Sequence, residues 1–140
     1  VNGAKTSSTC GHWLVDSGDI ASVMAAKASA MAFLRARGDT NGAFEDCALA
    51  LSELLSNAIR HAHPGPIEVT LEWSGDRPLL SVTNAGDAFA IRIERPAAER
   101  ESGRGLYILA KLLETPRVRS HRGRCTVSVS LPVQKGAARP

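Results

Sequence analysis

The chain has 140 residues, 44% of them hydrophobic and 22% charged, which suits one globular domain and excludes a disordered chain. Aromatic residues make up only 4%, so the core must be built from Ala, Val, Leu and Ile. A net charge of +3 is too mild to point to nucleic acid by itself, and no run approaches the roughly 20 apolar residues of a membrane helix.

The opening "VNGAKTSSTCG" has no Met start and no hydrophobic signal region, so residues 1–11 read as a loose or extraneous terminus. "HWLVD" is a short strand, and "SGD" offers helix caps at Ser17 and Asp19. The Ala-rich run over 20–37 predicts a helix, stopped by Gly38. A second helix is predicted from Phe44 to His63, ending at "HPGP". "IEVTLEW" and "LLSVTNAG" alternate as half-buried strands around a "SGDRP" turn. Residues 87–105 are irregular and charged, and "LYILAKLLE" has helical spacing over 106–114. "RVRSH", a turn at Gly123 and "CTVSVSLP" close the domain, and 133–140 reads as a disordered tail. One domain over 12–132 is expected. Hairpin strands beside helices argue for an α+β fold: a two-layer sandwich, its mixed, mostly antiparallel sheet carrying about three helices on one face.

Three cysteines, Cys10, Cys47 and Cys125, form no CxxC pair, and an odd count predicts free thiols in a reducing cytoplasm. Four histidines without ligand-like spacing argue against zinc. The run "RVRSHRGR" is either a strand edge kept soluble by arginine or a patch that binds phosphate or a partner.

Two motifs carry chemistry. On the second helix, a wheel centred on Leu51 gathers Cys47, Ala48, Leu54, Leu55, Ala58, Ile59 and Ala62 into a core stripe. Asp46, Ala50, Glu53, Asn57, Arg60 and His61 fall on the other side, with Ala50 leaving room there. On spacing alone, a solvated face explains that side most simply. Downstream, Gly103 and Gly105 flank Arg104 where a helix begins, and backbone N–H groups at a helix start bind anions.

Through these two motifs the sequence resembles the GHKL ATPase superfamily, with its Bergerat-type ATP-binding fold. Within it, the chain is most similar to the small anti-sigma-factor serine kinases, over residues 13–132. "ELLSNAIRHA" resembles the family's N box, which makes Glu53 the catalytic base and Asn57 the Mg²⁺ ligand. A carboxylate at i and a carboxamide at i+4 share one helix face, as that chemistry needs. "ESGRGLYIL" resembles a glycine box, placing Gly103, Arg104, Gly105 and Leu106 along the triphosphate. "GRCTVSVSLP" resembles the last strand, with Thr126 near the adenine and Cys125 where many relatives have glycine. In "VTNAGDAF" the first glycine box departs from the family: Asn84 stands where an aspartate is expected, ahead of Gly86, and the box's second glycine is absent. A carboxamide still accepts a hydrogen bond from the adenine amine, without the charge assistance that roughly doubles its strength. Residues 87–102, with Arg92, Arg95 and Arg100, would form an ATP lid.

The resemblance implies ATP and Mg²⁺ as cofactors and phosphorylation of a serine on an antagonist with a STAS-type fold. It also implies a sigma factor as the sequestered partner, a homodimer, and a cytoplasmic location. The alternative is a protein-binding module on the same fold with weak ATP binding or none, which the altered first glycine box motivates. Without a helix-turn-helix or an aromatic platform, nucleic acid is not expected as a partner, and neither is a membrane.

Overall fold

The computed structural model describes residues 9–39, 43–61, 65–86 and 113–136. Within them the chain runs β1 (Cys10–Asp16), α1 (Ile20–Arg37), α2 (Phe44–His61), β2 (Pro66–Glu72), β3 (Leu79–Ala85), β4 (Arg117–His121) and β5 (Arg124–Ser130). The strands form one open sheet in the order β1-β2-β3-β5-β4. Every pairing in it is antiparallel. The fold is α+β, with two helices among the described residues where about three were expected. The helix predicted over 106–114 lies outside the described residues as far as 112, and Leu113 and Glu114 are irregular.

Local chemistry accounts for α1. Alanine favours the helix, and the Asp19 carboxylate accepts a hydrogen bond from the Ala21 N–H at 3.0 Å, capping the first turn. Arg35 and Arg37 place positive charge in the last turn, where the helix dipole favours it. The Arg37 guanidinium lies 4.1 Å from the Phe33 ring centroid, and Phe33 meets Trp13 of β1 edge-on at 5.8 Å.

Period two sorts the sheet into two faces. Ile67, Val69 and Leu71 of β2, Leu80 and Val82 of β3, and Cys125, Val127 and Val129 of β5 are buried against the helices. Leu34 of α1 and Leu51, Leu54 and Leu55 of α2 complete the same core. Each fully buried Leu contributes about 1.5–3 kcal/mol relative to an exposed one. The opposite face carries Glu68, Thr70, Ser81, Thr83, Thr126 and Ser128, all partly exposed.

One expectation is corrected. The tail expected to be disordered from Val133 is packed as far as Gly136. Val133 is wholly buried, the Asp39 N–H donates to the Gln134 carbonyl at 2.8 Å, and the Gly136 N–H donates to the Arg37 carbonyl at 2.9 Å. Gly38 ends α1 as expected, in an extended conformation (φ −87°). What requires glycine there is space, because a Cβ would overlap the Val133 side chain and lie 2.8 Å from the Leu34 carbonyl oxygen.

Candidate functional site

The site is built on α2 and the end of β3, which touch. Two polar side chains are buried among the described residues, and both were singled out in the sequence: Asn57 on α2, 6% exposed, and Asn84 on β3, 2% exposed. Burying a carboxamide is costly unless its groups find partners.

The buried arc of α2 comprises Cys47, Ala50, Leu51, Leu54, Leu55, Asn57 and Ala58, whereas Ile59 is 36% exposed. Relative to the stripe read from the sequence, the arc is turned by about 50° toward the Ala50–Asn57 flank. Ala50 is therefore a core residue and does not leave room beside a ligand. Its neighbours explain the shift. α2 rests on β3 and is flanked by α1, and hydrophobic spacing does not say which flank a second helix covers. Glu53, one turn before Asn57, is half-buried. His61 closes the helix.

Asn57 is held without satisfaction, since its Nδ2 is buried and has no hydrogen-bond partner among the described residues. A buried donor left open costs about 1–3 kcal/mol, so the fold tolerates it where an acceptor arrives from outside. Asn84 differs. Its Nδ2 donates to the adjacent Ala85 carbonyl at 3.0 Å, which leaves Oδ1 as the acceptor end of the carboxamide. Gly86 follows with φ +144°, a conformation that glycine adopts readily, and its N–H donates to the Gly123 carbonyl at 2.8 Å.

Thr126 is not brought to this site. Asn84 pairs in register with Cys125, and both face the helices, so period two sends Thr126 to the other face of the sheet. There its hydroxyl meets that of Thr83 at 2.7 Å. Cys125, wholly buried, stands beside Asn84 where Thr126 was expected. The alternation of "CTVSVS" held the signal, since Val127 and Val129 fix the inward phase. Burial also pushes the Cys125 thiol pKa up. Gly103, Arg104, Gly105 and Leu106, and the lid expected over 87–102, lie outside the described residues. No group of three His, Cys, Asp or Glu among the described residues is placed to hold a metal, and no described helix is long and apolar enough to cross a membrane.

Residues 17–131 match the histidine kinase-like ATPase domain family. The chain belongs to that family. Its open antiparallel sheet with helices on one face is the fold seen in a crystal structure of the RsbU and RsbW domains of Rv1364c from Mycobacterium tuberculosis. The TM-score is 0.63 at 19% identity, over 93% of this chain and 34% of that one. The chain thus spans about a third of the length of that protein. No curated protein shows significant similarity to it.

A histidine kinase-like ATPase domain implies a bound nucleotide, typically with Mg²⁺, and the residues of α2 fit one. The carboxamide oxygen of Asn57 is a hard donor suited to Mg²⁺, and the open Nδ2 is a donor suited to an anionic oxygen.

Proposed function

We propose that this ATPase domain is a protein-serine kinase that binds ATP with Mg²⁺ and controls a sigma factor in the cytoplasm. The observation that carries the reading is Asn57, buried one turn from Glu53 on α2 with no partner for its Nδ2 among the described residues. Asn57 would hold the metal through Oδ1, where a bound Mg²⁺ would neutralise charge on the phosphate oxygens. Glu53 orients the attacking serine hydroxyl and takes its proton. The Asn84 Oδ1 accepts from the adenine amine, with Gly86 giving the backbone room beside it. Gly103, Arg104, Gly105 and Leu106 cradle the phosphates through backbone N–H groups. The substrate is a serine of a STAS-type antagonist, and the sigma factor is the sequestered partner. Exposed Ile20 and Met24 on α1, 77% and 63% accessible, offer apolar surface for a protein partner or a second copy.

Asn84 favours a second reading, a binding module that no longer turns over, because it lacks the charge of the expected aspartate. Calorimetric titration with ATP, with and without Mg²⁺, separates the two. Micromolar binding that requires Mg²⁺ and is lost in Asn57→Ala supports the kinase. Absence of heat at millimolar nucleotide leaves the binding module.

A further inference from the structure

The face of the sheet turned away from the helices carries a second concentration of chemistry, on β4 and β5. β4 is an edge strand, paired with β5 on one side and with no strand on the other among the described residues. Its backbone therefore offers a row of open N–H and C=O groups. Val118 packs toward the core, so Arg117, Arg119 and His121 stand on the outer face at every second position, about 6.8 Å apart. Arg124 pairs with His121 in register and shares that face. Together they border a trough of about 430 Å³.

The trough is cationic and rich in hydrogen-bond donors. Glu68 bonds Arg124 at 3.1 Å, while Arg117, Arg119 and His121 have no carboxylate partner among the described residues. On the floor, the Ser81 and Ser128 hydroxyls lie 2.9 Å apart and those of Thr83 and Thr126 2.7 Å apart. Each pair uses one of its two hydroxyl hydrogens, so one donor per pair is left for an incoming acceptor.

We infer that this edge binds an extended acidic polypeptide segment, which adds as a strand beside β4 and sets carboxylates at alternate positions over Arg117, Arg119 and His121. Main-chain bonds to the edge supply affinity, and the two-residue repeat of positive charge selects the partner. A second copy of this chain fits poorly. Antiparallel pairing of β4 with itself about Arg119 would set Arg119 against Arg119, and like charges directly opposite destabilise a sheet. A single-stranded nucleic acid fits less well, because no Phe, Tyr or Trp among the described residues borders the trough as a stacking platform.

The test uses the full chain and two fluorescent peptides of identical composition, one with glutamate at every second position and one with its glutamates contiguous. Anisotropy is read at physiological ionic strength, about 0.15 M. The alternating peptide should bind saturably, about tenfold tighter than its isomer, and Arg117→Glu/Arg119→Glu should lose about tenfold in affinity. Lys27→Glu/Arg35→Glu on α1 should leave binding unchanged. Arg117→Gln/Arg119→Gln, with an unaltered melting temperature, guards against a folding defect in the charge reversal. The inference is overturned if the two peptides bind alike, if both charge reversals weaken binding equally, or if no saturable binding is seen. Tighter binding of an oligonucleotide at the same face would overturn it in favour of nucleic acid. A dimer that dissociates on Arg117→Glu/Arg119→Glu would overturn it in favour of a second copy.

Discussion

Cys47 illustrates what burial does to a single group. It lies wholly inside α2, and burial pushes its thiol pKa from an ordinary 9.0 up to about 12, with the Asp46 carboxylate adding to the shift and Arg77 opposing it. A folded-state pKa above the unfolded one means that the unfolded chain releases its proton first as pH rises. The stability tied to this thiol is therefore fully present below pH 9 and is lost between there and about 12. The loss is at most about 1.4 kcal/mol per pH unit. Urea unfolding at stepped pH should show midpoints falling above pH 9, and the fall should be shallower in Cys47→Ala. Cys125, also raised by burial, supplies part of the remaining dependence. An equally steep fall in Cys47→Ala would assign the alkaline loss elsewhere. Asn57 shows the limit of reading single residues. A carboxamide on a helix looks the same in sequence whether it is solvated or buried, and only packing makes its open Nδ2 visible.

At the scale of elements, the bounds of α1 were legible because local signals fix both ends: the Asp19 cap and Gly38. The strands were legible because apolar residues alternate, and that alternation also decides that Cys125, not Thr126, faces Asn84. The segment after β5 was not legible. Val133 follows Pro132 and precedes polar Gln134 and Lys135, and its burial depends on the gap that Gly38 leaves at the end of α1. Gly38→Ala tests that contact. The added methyl must displace Val133 or the last turn of α1, which should cost about 1–3 kcal/mol. Chemical denaturation should show this loss, and Val133→Ala in the same chain should recover part of it by vacating the space. A Gly38→Ala variant as stable as the parent would mean that residues 131–136 do not press on α1.

At the scale of the whole molecule, the sheet separates two kinds of chemistry. The helix-covered face holds Asn57, Asn84 and half-buried Glu53, while the open face holds the cationic trough. Most of the fold class could be read from the order of elements, but this division could not, because it depends on strand order. β4 follows β3 in sequence yet lies beyond β5 in the sheet, which carries its arginines to an edge. On the covered face, the proposed roles of Glu53 and Asn57 predict different failures. A ligand that binds only the folded chain stabilises it by about 2.7 kcal/mol at a hundredfold excess over its dissociation constant, on the order of 10 °C in melting temperature for a domain of this size. Glu53→Gln keeps the shape and hydrogen bonding of the side chain but cannot take a proton. It should retain nearly all of the ATP–Mg²⁺ thermal shift while phosphotransfer to a serine substrate falls by about 10²–10⁴-fold. Asn57→Ala should lose the shift and the transfer together. If Glu53→Gln lost the shift as well, Glu53 would be holding the nucleotide or its metal, and the base would have to be sought on another element.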